Sequence, residues 1–156
     1  FDAVSALIGI CDQNTFEGEA SIALESLAIS GIDADYPVDI HLDDSIEIDF
    51  SHTFLALVDD LKRNVDRSIM SAKFHNTVVM AIIRVVLMLY LMNNIKTVAL
   101  SGGVFQNLYL FEKVADGLQE EGLAVYANEK VPCNDAGISL GQVFLAREMM
   151  KADASL

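Results

Sequence analysis

Two short segments carry the residue types best suited to binding a ligand. The first is Ser101-Gly102-Gly103-Val104-Phe105-Gln106-Asn107, directly after the apolar run Thr97-Val98-Ala99-Leu100. In open α/β sheets, ligands bind beyond the carboxyl ends of the strands. Glycines let a ligand approach the backbone, and a helix start offers free N–H groups to an anion. Asn107 can donate and accept at once, which suits a polar ligand group. The same pattern also fits a tight turn needing positive φ, with Asn107 as a helix cap. It is neither a dinucleotide fingerprint nor a Walker A loop, because no G-x-G-x-x-G and no Gly-Lys-Ser/Thr sequence is present.

The second segment is Pro132-Cys133-Asn134-Asp135-Ala136-Gly137-Ile138-Ser139-Leu140-Gly141-Gln142. It also follows a strand-like run and so should lie near the first loop. Asp135 could bind a metal or a ribose, or it or Asn134 could cap the helix that follows, which is worth about 1 kcal/mol. Cys133 reads as a small half-buried residue, with no histidine beside it in sequence to activate a thiolate. A third segment, Phe16-Glu17-Gly18-Glu19-Ala20, opens a helix. Its carboxylates either complement the helix dipole or bond sugar hydroxyls. His41, His52 and His75 lack the H-x-x-x-H or H-E-x-x-H spacing of metal ligands and read as packing or surface residues.

The elements that hold these segments follow from hydrophobic period. Residues 2–11 and 18–29 space their apolar residues as helices. Residues 38–42 and 46–50 alternate apolar and polar, as two half-exposed strands joined at 43–45. Ser51 is placed as N-cap of a helix presenting Phe54, Leu55, Val58 and Leu61 on one face. Residues 68–94 form a long, mostly apolar helix expected to bury Val79, Ile82, Val86 and Leu89. A buried, central strand at 97–100, a helix at 108–118 ended by Gly117 or Gly122, a strand at 123–126 and a final helix through Leu140, Val143, Phe144 and Met149 complete the chain. The pattern predicts an α/β fold, with helices packed on a small, mostly parallel sheet.

A chain of 156 residues can enclose its own core, and 53% hydrophobic content excludes disorder. A net charge of −13 argues against general nucleic-acid binding. That charge is uneven: −14 before Lys62, where no Lys or Arg occurs, and +1 from Lys62 onward. The acidic half reads as a solvated surface or as a face for a basic partner. Cys11 and Cys133 cannot make a disulfide scaffold, so a reducing cytoplasm is expected. The apolar run 78–92 falls short of the ~20 residues that span a bilayer, and Arg84 interrupts it, so no membrane is expected. The start at Phe1 without Met, already helical in pattern, suggests a piece of a longer protein.

Taken together and in order, Phe1-Asp2-Ala3-Val4, Phe16-Glu17-Gly18-Glu19-Ala20, Phe74-His75, the Ser101–Asn107 loop and Asp135-Ala136-Gly137-Ile138-Ser139-Leu140-Gly141-Gln142 resemble the C-terminal part of the HypF carbamoyltransferases. The resemblance spans nearly the whole chain, as a single unit over residues 1–156. It implies the second lobe of a two-lobed actin/hexokinase-like (ribonuclease H-like) domain, related to the threonylcarbamoyl transferases of tRNA modification. In that family, carbamoyl phosphate and ATP give carbamoyl adenylate, and the carbamoyl group passes to the C-terminal cysteine of HypE during hydrogenase maturation. By this resemblance Gly102, Gly103 and Asn107 meet the nucleotide, Glu17-Gly18-Glu19 lie near its ribose, and Asp135 completes a divalent metal site whose other ligands lie upstream. Asp135-Ala136 departs from the commoner Asp-Gly, without consequence for a side-chain ligand. The alternatives are a nucleotide-binding lobe of a tRNA threonylcarbamoyl transferase or another actin/hexokinase-type protein, and a non-enzymatic interaction module.

Overall fold

The long apolar segment after Asp66 is the axis on which the molecule is assembled. In a computed structural model, described for residues 1–153, it forms α4 (Arg67–Asn93). Asp66 caps its start by accepting from the Ser68 N–H, and Asn94 ends it in the left-handed region at φ 53°. Before it lie α1 (Asp2–Leu7), α2 (Glu19–Leu27), the antiparallel hairpin β1 (Asp39–Leu42) and β2 (Ile46–Asp49), and α3 (Ser51–Lys62). After it come β3 (Thr97–Leu100), α5 (Leu108–Glu120), β4 (Ala124–Ala127) and α6 (Ile138–Asp153), with short 3-10 turns at Gly103–Gln106 and Asp135–Gly137.

Two core clusters meet along α4. One gathers Val4, Ile8, Leu24, Tyr36, Leu57, Met70 and Phe74; the other gathers Val79, Leu100, Leu110, Val114, Leu118 and Leu123. Phe1 and Val78 pack against both. Each fully buried Leu stabilises the fold by about 1.5–3 kcal/mol. The first half of α4 also buries polar groups, and they are satisfied. Asn76 donates to the Ile32 and Ala34 carbonyls, and Thr77 accepts from the Tyr36 N–H. Lys73 pairs with Asp60 at 2.6 Å, and the Tyr36 hydroxyl donates to the same carboxylate at 2.9 Å. Burial opposes ionisation of Asp60, but these bonds outweigh it and hold its pKa below the usual 3.8.

By length and composition α4 is one helix long and apolar enough to cross a membrane, over 27 residues rather than the 15-residue run counted in sequence. Its first half buries bonded polar groups between the two core clusters, whereas Leu91 and Met92 near its end are exposed. The burial expected along its length holds at Val79; Ile82 and Val86 are half-buried, and Leu89 is 42% exposed.

The strands form two separate pairs instead of one sheet: β1–β2 antiparallel and β3–β4 parallel, the latter joined through α5 as a βαβ unit. The run 97–100 is not a fully buried central strand. Val98, Leu100 and Val125 face α4 and α5, while Thr97, Ala99, Ala124 and Tyr126 face out. In α3, Phe50 is the cap and Ser51 the first helical residue, its N–H bonded to Asp49 Oδ1. The buried face of α3 is Thr53, Leu57 and Asp60, with the Thr53 hydroxyl bonded to the Pro37 carbonyl; Phe54 and Leu55 lie outside it. The final helix exposes Leu140, Val143, Phe144 and Met149.

Candidate functional site

The parallel pairing of β3 and β4 brings their carboxyl ends side by side, and with them the two glycine-bearing loops. The Gly102 N–H donates to the Cys133 carbonyl at 2.8 Å, which ties the loops together. Gly102 adopts φ +100°, a conformation closed to most side chains, whereas Gly103 lies outside the left-handed region. A methyl at Gly103 would stand 3.8 Å from Asn134 Cβ, so its bareness keeps the gap between the loops open.

A cleft of about 780 Å³ opens where these loops face α2. Gly103, Val104, Gln106 and Asn107 form one side, Asn134, Asp135 and Ala136 a second, and Glu17, Gly18, Ser21, Ile22 and Glu25 a third. Phe1 and Asp2 also line it. The three segments singled out in sequence therefore converge on one space. Asp2, Glu17, Glu25 and Asp135 make its charge acidic, and no Lys or Arg lines it among the described residues.

Several contacts differ from the sequence reading. The start of α5 does not offer free N–H groups. Glu25 Oε1 accepts from the Leu108 N–H at 2.7 Å and the Tyr109 N–H at 3.4 Å, and Asn107 Oδ1 accepts from the Leu110 N–H at 2.8 Å. A protein carboxylate thus fills the position an anion would take. Asn107 is buried, and its amide nitrogen donates to His75 Nε2 at 2.9 Å, so its side chain both caps α5 and anchors the loop. Gly102 does not line the cleft. Neither does Glu19, whose carboxylate accepts from the Thr15 N–H and hydroxyl; those bonds lower its pKa. Of the two candidate caps, Asn134 makes the bond, to the Ala136 N–H, as the sequence reading allowed, and the Asp135 carboxylate is left exposed at the cleft.

His75 is fully buried, His52 pairs with Asp39 at 2.6 Å, and His41 is exposed on β1. Among the described residues no three His, Cys, Asp or Glu side chains converge to hold a metal ion. Asp135 can supply one carboxylate at the cleft.

A family model described as "Carbamoyltransferase, Kae1-like Domain, second subdomain" matches residues 1–142. The chain belongs to this HypF family. The carbamoyltransferase HypF of Synechocystis sp. is 30% identical over 145 residues, which are 92% of this chain and 18% of that protein. A crystal structure of full-length HypF in a phosphate- and nucleotide-bound form is 41% identical, with a TM-score of 0.90, over 96% of this chain and 20% of that one. The structure of T. kodakarensis HypF, at 23% identity and a TM-score of 0.78, shares the fold over 97% of this chain. The chain thus spans about a fifth of the length of these HypF proteins. It is a Kae1-like α/β subdomain of a carbamoyltransferase-type polypeptide.

Within this HypF subdomain, Glu25, Ser21 and Asp2 are cleft residues that sequence reasoning missed. One signal existed: Gly18, Ser21, Ile22 and Glu25 follow the i, i+3, i+4, i+7 spacing of a single face of α2. The bond from Glu25 across 83 residues to Leu108 left no such trace.

Proposed function

We propose that this chain forms one wall of the nucleotide cleft of a HypF-type carbamoyltransferase, with the other wall supplied by upstream domains of the same polypeptide. The observation that carries the reading is the convergence of the 17–25, 103–107 and 134–136 segments on one acidic cleft. Gly103 admits close approach of a ligand. Glu17 and Asp135 are exposed acceptors suited to ribose hydroxyls or to a cation. Asp135 contributes a single ligand to any divalent metal bound between the lobes.

The reaction is carbamoyl transfer to the C-terminal cysteine of a HypE-like acceptor, in the cytoplasm, during nickel–iron hydrogenase maturation. The thiolate sulfur forms a bond to the carbamoyl carbon of carbamoyl adenylate, and the carbon–oxygen bond to phosphate breaks. AMP leaves with the electron pair, and the thiol proton passes to a base. The free cysteines Cys11 and Cys133 are compatible with a reducing compartment.

A one-sided cleft does not exclude water, and polar contacts in it are weak. Calorimetry should therefore find at most weak ATP or metal binding by the 156-residue chain. The parent polypeptide should bind both and turn over ATP only with carbamoyl phosphate. Tight metal binding or carbamoyl transfer by the chain alone would refute the split cleft.

A further inference from the structure

We propose that His75 is a positioning residue for this cleft: a buried, neutral hydrogen-bond acceptor that fixes Asn107, and through it the 102–107 loop. The inference rests on the nucleotide-cleft reading above. It starts from directionality. His75 Nδ1 lies 2.8 Å from the Ser71 carbonyl, which can only accept, so Nδ1 carries the proton. Nε2 is then a lone-pair acceptor, 2.9 Å from the Asn107 amide nitrogen. That contact forces the Asn107 oxygen toward the Leu110 N–H, the capping bond of α5.

The chain of bonds reaches further. The Ser71 hydroxyl donates to the Leu24 carbonyl of α2, the helix that carries Gly18, Ser21 and Glu25 into the cleft. One buried histidine on α4 therefore couples two walls of the cleft. The ring has no freedom to turn away. Phe1 and Tyr109 each lie 5.1 Å from it, centroid to centroid, and Phe74 lies 6.4 Å away. Protonation would put a donor against a donor, and burial disfavours it, holding the pKa below 6.5. The charged groups that face the ring are Glu25 from α2, Lys113 from α5 and the amino group of Phe1.

The test uses His75→Phe and His75→Gln in the parent polypeptide. Phenylalanine keeps the ring without an acceptor; glutamine offers an amide oxygen near the Nε2 position. Phenylalanine should weaken ATP binding about tenfold, the effect of losing one hydrogen bond of ordinary net strength. It should also speed amide hydrogen exchange at Leu110. Glutamine should restore both, and Leu118→Ala, which destabilises the core elsewhere, should leave ATP affinity unchanged. Nitrogen-15 NMR of histidine-labelled wild-type protein should show the Nδ1–H tautomer at neutral pH, a result independent of any variant's folding. Wild-type ATP affinity and Leu110 exchange in His75→Phe, equal impairment by glutamine, or an Nε2–H tautomer would each overturn the proposal. A wild-type parent that binds no ATP would overturn the nucleotide reading instead, and Leu110 exchange and the tautomer would still decide the role of His75.

Discussion

α5 and α6 begin alike and end differently. Each follows a strand of the parallel pair through a loop that lines the cleft, and each loop holds an asparagine that accepts an N–H: Asn107 caps α5, and Asn134 caps the 3-10 turn ahead of α6. Yet Leu110, Val114 and Leu118 of α5 are fully buried, whereas Val143, Phe144 and Met150 of α6 are each more than 60% exposed. The difference is not hydrophobicity. α5 lies on α4 and on one face of the strand pair, and its first turn is held by Asn107, Glu25 and, through Tyr109, by Asn76. α6 has apolar residues, but among the described residues no such surface covers them. An amphipathic pattern states that a face wants cover; only the rest of the molecule states whether cover is present.

The largest expected contrast is in packing. Leu118→Ala should cost about 2–5 kcal/mol, as expected for a truncated core leucine. Phe144→Ala should stay within about 0.5 kcal/mol in the isolated chain, the range of surface substitutions. Urea denaturation of the two variants measures this. Equal losses would mean that α6 is packed against this chain after all.

The caps give a smaller contrast. Asn107→Ala removes the α5 cap and the partner of His75 together, and should cost about 2 kcal/mol. Asn134→Ala removes one exposed 3.1 Å bond, and should cost about 0.5–1 kcal/mol. Thermal unfolding of the pair sharpens the claim that only the first asparagine is structural at depth.

The pH dependence should also belong to the α5 side. Burial pushes His75 below its ordinary 6.5, so the unfolded chain binds a proton that the folded state refuses. Its contribution to stability is complete above 6.5 and is lost as pH falls toward the lowered folded value. Asp60, held below 3.8 by Lys73 and Tyr36, adds a second loss further into acid. Denaturation midpoints measured across this range should lose the first slope, but not the second, in His75→Phe.

What could be read from sequence divides along the same line as α5 and α6. The helices, both strand pairs and the meeting of the 101–107 and 132–142 loops follow from local period and from strand–turn–helix order. The helix rotation of α3 did not: it buries Thr53, whose hydroxyl bonds the Pro37 carbonyl, and leaves Phe54 and Leu55 outside. The filled N-terminus of α5 did not either, because Glu25 reaches it from another helix. Nor did the fate of Glu19, which a neighbouring threonine captures. Each miss is a polar side chain choosing a partner, and periodicity carries no record of partners.

The account's central claim is that the 103–107 loop is a wall at which a nucleotide is bound in the complete polypeptide. Titration of ATP into the parent protein, wild type against Gly103→Val, tests it most directly. Valine fits beside Asn134 only by filling the gap that the glycine leaves open. The account predicts at least a ~10-fold loss of affinity, with stability changed by no more than the ~0.5 kcal/mol of a surface substitution. A folded Gly103→Val protein that binds ATP as tightly as the wild type would contradict it.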